Sequence, residues 1–361
     1  MSLLGLGFTL NRTVFLSSQE RALKVFDSDA NTETMKAFVG FVSQYGKSYA
    51  DRLETATRYS NYLANMEQIR KYKEHEFHLP YRLAFENQFA DLSPAEFVAL
   101  VGNGTSVPQS VMRPEATFFK QESVPILDKV EGEIPASKNW VEDGVVAASQ
   151  DTSAYGHSWA FSATAALEAL AAINGQANLT FSAQQLIDCD TANNGWAYKG
   201  FAYASKYGMM ADYPFTGRQG ECLYDESKPA FKNTDLVQER YVSNEKLKSM
   251  VARQPVTTGL VVTSNFRLYK SGVMTEELLH CSDSKNEINH SVTLVGYGKT
   301  DKSDVASTFC SEYWLAQSNF GAAWGEQGLF KLCMDGAGKS RLPYGLCHVN
   351  RFPAYPTLLL D

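Results

Sequence analysis

The sequence predicts an α+β fold, with helices gathered in the first half of the chain and strands in the second. Three observations carry this. Residues 33–75 hold an apolar stripe at helical spacing, residues 158 to about 174 are apolar on several sides at once, and from about residue 235 the apolar residues collect in short β-branched and aromatic runs. The chain has 361 residues, 44% hydrophobic and 20% charged, enough for one large domain with its own core plus a substantial extra module.

Residues 1–30 are expected to form an N-terminal arm. Leu3 to Leu10 is mildly apolar, but no basic residue precedes it, two glycines interrupt it, and Asn11 and Arg12 follow, so it makes a poor secretory signal. Residues 33–75 read as two helices, the second with Tyr59, Tyr62, Leu63, Met66 and Ile69 along one face. Leu92 to Phe97 begins a short helix with Ser93 as its N-cap. Residues 101–131 mix Gly, Pro, Ser and charge with little periodicity and read as an extended linker. The helix from Ser158 carries Trp159, Phe161, Ala163, Ala166, Leu167, Leu170 and Ile173, and Gly175 stands where a C-cap glycine would. Leu260–Val262, Val292–Val295, Tyr313–Ala316 and Gly328–Leu332 read as strands.

The formal net charge of −7 and the lack of a basic cluster argue against nucleic acid or an anionic membrane as main partner. No apolar run approaches the ~20 residues of a membrane span. No cofactor or metal is expected. The six cysteines, Cys189, Cys222, Cys281, Cys310, Cys333 and Cys347, permit disulfides without requiring them. Asn11-Arg12-Thr13, Asn103-Gly104-Thr105 and Asn178-Leu179-Thr180 are glycosylation sequons that matter only on a secretory route.

Several segments together resemble one family. Gly156-His157-Ser158-Trp159-Ala160-Phe161-Ser162-Ala163 opens the central helix, and Asn289-His290-Ser291 runs into Val295-Gly296-Tyr297-Gly298. Tyr313-Trp314-Leu315-Ala316-Gln317-Ser318-Asn319-Phe320-Gly321 leads to Trp324-Gly325-Glu326. Upstream, Glu54, Arg58, Tyr62, Asn65 and Ile69 fall at the intervals of the ERFNIN motif, with Tyr62 for the usual Phe and Lys73 at the last Asn position. Asn87-Gln88-Phe89-Ala90-Asp91 matches the second prodomain signature, with Phe85 where Gly is usual. The chain thus resembles a cathepsin L-like zymogen of the papain family. The resemblance implies a helical prodomain over residues 31–100, a linker over 101–131 that crosses the substrate cleft, and a papain-like domain over 132–361. That domain would have a helical half and a β-barrel-like half with the cleft between them.

Family catalysis needs a thiolate at the start of the central helix, held by the helix dipole and an imidazolium. A histidine moves the proton, an asparagine amide orients it, and a glutamine donates to the oxyanion. The resemblance places Ser158 at the nucleophile, His290 at the histidine, Ser318 at the asparagine and Thr152 at the glutamine. Three of the four are therefore substituted, and Phe320 replaces a shielding Trp. A hydroxyl cannot be ionised by the environment that ionises a thiol. Ser318 is shorter than Asn, so the group that orients His290 is reduced. Asn319, one step along a strand, points to the other face, and Gln150 lies two residues early for the oxyanion position. His157 is expected to face solvent.

The family's disulfides imply Cys189–Cys222 and Cys281–Cys347; apart from the resemblance, Cys310 and Cys333 flank two predicted neighbouring strands and are expected as an extra bridge. Tyr155 and the segment Ala192-Asn193-Asn194-Gly195 stand where another family pair is lost from both ends. Gly195 matches the glycine whose backbone pairs with extended peptide, and Phe352 lies at the floor of the main specificity pocket, which it fills or narrows. The expected function is that of an inactive homologue acting as a binding or structural protein, its prodomain retained in the cleft. The partner would be a peptide, a protein or a larger assembly. Two alternatives stand beside it. One is an active or weakly active endopeptidase using Ser158 and His290. The other is a cysteine peptidase trapped as its zymogen by a single Cys→Ser change, which leaves Thr152, Tyr155 and Ser318 unexplained. Family resemblance points to a lysosome, a vacuole or the extracellular space.

Overall fold

A computed structural model of the chain describes residues 17–85, 87–102, 133–151, 156–176, 179–191, 195–281, 288–334 and 344–358. Thr152, Tyr155, Ala192, Asn193, Asn194, the three sequon asparagines, the Leu3–Leu10 run and linker positions 103–131 lie outside them.

The N-terminal module runs α1 (Ser18–Ser28), α2 (Glu33–Gln44), α3 (Arg52–Lys73), β1 (Tyr81–Leu83) and α4 (Pro94–Gly102). The expected arm therefore contains a helix. Its start is a capping box, with Ser17 Oγ accepting from Glu20 N–H at 3.2 Å and the Glu20 carboxylate accepting from Ser17 N–H at 2.7 Å. The Ser17-x-x-Glu20 spacing was legible in the sequence and was missed. Phe26 packs edge-on to Tyr59, and Tyr59 Oη donates to Asp29 at 2.8 Å, which fixes α1 against α3. Met35, Phe38, Phe41, Tyr59 and Tyr62 close a largely aromatic core between α2 and α3. α4 starts as the sequence predicts, with reciprocal bonds between Ser93 and Glu96 at 3.3 and 2.8 Å.

The rest of the chain forms β2 (Lys138–Asn139), α5 (Ser158–Ile173), α6 (Ala183–Cys189), α7 (Ala197–Tyr207), β3 (Asp235–Gln238), α8 (Asn244–Arg253), β4 (Val256–Leu260), β5 (Tyr269–Met274), α9 (Glu276–Leu279), β6 (His290–Lys299), β7 (Glu312–Gln317), β8 (Leu329–Cys333) and β9 (Ala354–Thr357). The strands join in the path β1-β5-β8-β7-β6-β4-β9-β3, with β2 paired to β6. Most pairings are antiparallel, while β5 and β8 run parallel. α8 interrupts the strand-rich half. Ser243 caps it at 3.1 Å, and Leu247, Met250 and Val251 form its buried stripe. The Leu260–Val262 run does not continue as strand. Val261 N–H donates to Cys347 O at 3.0 Å and Val262 N–H to the Asn289 side chain at 2.8 Å, so the chain leaves the ladder after Leu260.

α5 is the spine of the helical half. Trp159, Leu167 and Leu170 pack with Leu186 of α6 and Phe201 of α7. It ends in a Schellman turn: Gly175, at φ 83°, donates to Ala172 O at 3.1 Å and Gln176 to Ala171 O at 2.9 Å. The other face of α5 meets β6, whose ladder with β4 and β7 crosses the β half. At Gly296 of β6, any Cβ would sit 2.1 Å from Lys138 O, so only glycine lets β2 pair there. The cysteines pair as Cys189–Cys222 and Cys281–Cys347, as the resemblance implies, and as Cys310–Cys333, the extra bridge expected between two neighbouring strands.

The N-terminal module is fused to the β half. β1 adds to β5 in antiparallel register, Tyr81 opposite Gly272, and Ala84 N–H donates to Leu268 O at 2.8 Å. Ile69, Phe89 and Phe97 belong to the same apolar core as Leu268, Phe320 and Trp324. Among the described residues no helix is long and apolar enough to cross a membrane.

Candidate functional site

Ser158 is the first residue of α5, reached through Gly156 at φ 71° and His157 at φ 56°. This tight left-handed entry places the Ser158 side chain at the amino end of the helix, where unpaired backbone N–H groups favour negative charge. His157 does not face solvent as expected. It is half-buried, and burial lowers its pKa.

Ser158 is only 2% exposed. Its Oγ accepts a hydrogen bond from Ser291 N–H at 3.0 Å. Two further contacts continue this seam between α5 and β6: Ser162 Oγ meets Ser291 Oγ at 2.6 Å, and Thr293 Oγ1 donates to Ser162 O at 3.3 Å. A row of hydroxyls thus joins the helical half to the β half beside the nucleophile position.

His290 opens β6 and is 3% exposed. Its Nε2 lies 3.0 Å from Ser318 Oγ, while its Nδ1 has no hydrogen-bond partner. The shortened Ser318 side chain therefore still reaches the imidazole. It does so because Ser318 is drawn in on both sides: its N–H donates to Gly328 O at 3.1 Å and its carbonyl accepts from Ser149 Oγ at 2.6 Å. Burial pushes the His290 pKa down to about 3, so the ring is neutral at physiological pH. Phe320 covers the ring with centroids 5.0 Å apart.

A crevice with room for about 50 Å³ runs along α5 from Ser158 to Glu168. Gln150, Ser318 and Asn319 also line it, so Gln150 does reach the neighbourhood of Ser158 despite its early position in the sequence. The bond to His290 comes from Ser318, and both Ser318 and Asn319 contribute to the lining of this crevice. Thr152 lies outside the described residues.

On the other side of the cleft, Gly195 has φ 94° and is followed by Trp196, whose ring meets Phe352 edge-on at 5.1 Å. Ile288 packs where a Cβ on Gly259 would stand, 2.8 Å away. Phe352 also lies 6.1 Å from Tyr241 and 5.0 Å from the Arg351 guanidinium. Aromatic and aliphatic side chains thus crowd the place where the sequence puts the specificity pocket.

The N-terminal module reaches this site directly. Phe89 and Phe97 pack edge-on against Phe320 at 5.2 and 5.9 Å, and Gln88 Nε2 donates to Phe320 O. The ring that covers His290 is itself covered by the N-terminal module. A contact that sequence reading missed lies below it. Arg267, fully buried beside β5, donates to Asn65 Oδ1 at 2.7 Å and Gln68 Oε1 at 2.9 Å of α3, and its carbonyl accepts from Asn87 at 2.9 Å. Among the described residues no group of three or more His, Cys, Asp or Glu side chains could hold a metal ion.

The arrangement provides a neutral imidazole, a hydroxyl next to a helix amino end, and a third group on the imidazole. Those are parts of acyl-transfer chemistry. The hydroxyl accepts from a backbone N–H, and among the described residues its own proton is not given to the imidazole.

Known proteins agree with this architecture. Residues 134–357 match the family model described as papain family cysteine protease, and residues 38–97 match the cathepsin propeptide inhibitor domain. The chain is 32% identical over 329 residues to the oryzain gamma chain of Oryza sativa subsp. japonica, spanning 88% of this chain and 82% of that one. It is 31% identical to the thiol protease aleurain of Arabidopsis thaliana, spanning 89% and 84%. The structure of digestive procathepsin L 3 from the larval midgut of Tenebrio molitor superposes with a TM-score of 0.73 at 25% identity, covering 91% of this chain and all of that one. The proform of the ragweed pollen allergen Amb a 11, a cysteine protease, superposes with a TM-score of 0.76 at 26% identity, covering 95% and 98%. The chain belongs to the papain family of cysteine proteases and carries a cathepsin-type propeptide domain ahead of its papain-like domain.

Proposed function

We propose that this family member has left peptide hydrolysis and acts as a binding or structural protein, with its propeptide domain retained over the cleft. Ser158, His290, Ser318 and Thr152 take the four catalytic positions, and only the histidine keeps the family's residue type. One observation carries the reading: the Ser158 hydroxyl accepts from Ser291 N–H at 3.0 Å while, among the described residues, His290 Nδ1 has no partner. A serine poised for attack would donate its own proton to the imidazole, and that bond is missing among the described residues. The buried, neutral ring also offers no imidazolium for an ion pair, which a hydroxyl could not form in any case.

The test is Ser158→Cys in the full chain, assayed on a fluorogenic cathepsin L-type peptide. No cleavage above background is expected, because the remaining positions stay substituted. Robust cleavage from that one change would mean that the site is otherwise intact. A second reading, a weak serine hydrolase, is favoured by one observation, the 3.0 Å contact of Ser318 Oγ with His290 Nε2, which supplies an orienting third group. Labelling of the unmodified protein by a fluorophosphonate, lost in Ser158→Ala, would establish that second reading in place of the first.

A further inference from the structure

The crevice along α5 contains a carboxylate that the site chemistry does not use. Glu168 lines it nearly three helical turns beyond Ser158, half-buried, with one oxygen accepting from Phe181 N–H at 2.7 Å. Among the described residues no cationic side chain lines the crevice with it. Burial pushes the Glu168 pKa up to about 7, and the backbone bond from Phe181 lowers it only in part. A carboxyl in such a place either keeps its proton or, once ionised, is stabilised by a positive partner.

The two neighbouring threonines offer lone pairs rather than protons. Thr164 Oγ1 spends its hydrogen on Ala160 O at 2.8 Å, and Thr293 Oγ1 spends its own on Ser162 O at 3.3 Å. Gln317 Nε2 donates to Ala147 O at 2.7 Å. The threonines are left with acceptor oxygen, and Gln317 with its Oε1 and the second N–H of its amide. The volume of about 50 Å³ exceeds the ~10–15 Å³ that one water-sized group occupies. One carboxylate among neutral oxygens balances one positive charge. A divalent ion such as calcium would call for more carboxylates than this lining holds.

We propose that this crevice between the two halves of the papain-like domain binds a small singly charged cation, an alkali ion or an ammonium group, on Glu168 and the oxygens of Thr164, Thr293 and Gln317. The site is independent of whether the chain cleaves peptides, since none of these groups acts on a scissile bond.

The experiment uses the full chain at pH 8 and constant ionic strength, with choline chloride replaced stepwise by potassium, sodium, ammonium or methylammonium chloride. The midpoint of thermal unfolding is the readout. At least one small cation is expected to raise the midpoint saturably, by a few degrees, where choline does not. Methylammonium acting alone assigns the site to an amine, and potassium or sodium acting alone assigns it to an alkali ion. The rise should vanish in Glu168→Gln, require several-fold more cation in Thr293→Val, and disappear at pH 5, where the carboxyl holds its proton. Equal midpoints in choline and in all four small cations would overturn the proposal. So would an undiminished rise in Glu168→Gln, which would place the ion elsewhere.

Discussion

At the scale of single residues, the informative substitutions change what each group can bond to. Cysteine at position 158 would be a poor acceptor for Ser291 N–H, whereas a serine hydroxyl satisfies it. Ser158→Ala leaves that buried donor unpaired and should cost about 1–3 kcal/mol in urea unfolding. An unchanged midpoint would show that water or a shift of β6 replaces the hydroxyl. The two titrating groups nearby pull in opposite directions. His290 has its pKa depressed to about 3, below the ~6.5 of an unfolded chain, so its contribution is present above 6.5 and is lost as pH falls toward 3. Glu168 has its pKa raised from 4.5 to about 7, so its contribution is present below 4.5 and is lost as pH rises toward 7. Between pH 4.5 and 6.5 the two slopes oppose each other. In choline buffer, Glu168→Gln should therefore uncover a stability that rises with pH across that window, by up to about 1.4 kcal/mol per unit. A wild-type curve with the same slope as the variant would mean that Glu168 titrates as an ordinary surface carboxylate. The identities at 158, 290 and 318 were legible from motif spacing. The bond from Ser291 was not, because it joins a side chain to a backbone N–H 133 residues away.

At the scale of elements, sequence patterns located α2, α3, α4 and α5 but not the other helices, and tertiary contacts set their ends and partners. α3 was legible as an amphipathic helix with ERFNIN spacing, but spacing alone does not say what its polar positions hold. Asn65 donates to Ala90 O at 2.8 Å and Leu92 O at 2.9 Å, and it accepts from the buried Arg267. Arg267 has its pKa lowered to about 10 by desolvation, and the partners it finds on α3 are neutral amides. Asn65→Leu would remove the nearest acceptor from a buried cation and strand two carbonyls. A loss of about 2–4 kcal/mol is expected, with residues 33–100 becoming protease-sensitive before the papain-like domain. Simultaneous loss of protection in both parts would show that they unfold as one unit. α1 and α8 escaped the sequence reading for a simple reason. Each is short, and its signal lies in a capping residue, Ser17 or Ser243, rather than in a long apolar stripe. The strand run at Leu260–Val262 misled for the opposite reason. Its residues favour strand, but Cys347 O and the Asn289 side chain capture the backbone N–H groups of Val261 and Val262.

At the scale of the whole molecule, the propeptide domain is built into the fold rather than laid upon it. β1 continues the sheet through β5, Phe89 and Phe97 roof the Phe320 ring, and Ile69 lies in the core shared with Leu268 and Trp324. Releasing it would expose Phe320 and Leu268 and unpair an edge strand, at a cost in buried apolar area of ~25 cal/mol per Å². A protease that must free its cleft has to overcome such an interface, whereas a binding protein gains rigidity from keeping it. The distinction can be measured without an activity assay. With a sequence-specific endoprotease site placed between Glu131 and Gly132, the cut chain should elute from a size-exclusion column as one particle at both pH 7 and pH 4.5, and mass spectrometry of the native protein should find no form beginning near residue 131. Acid leaves His290 uncharged down to about pH 3, so no imidazolium appears under Phe320 to push the roof away. Separation of the two fragments at pH 4.5 would show instead that the interface yields in acid, as a zymogen requires, and retention of the propeptide domain would have to be abandoned.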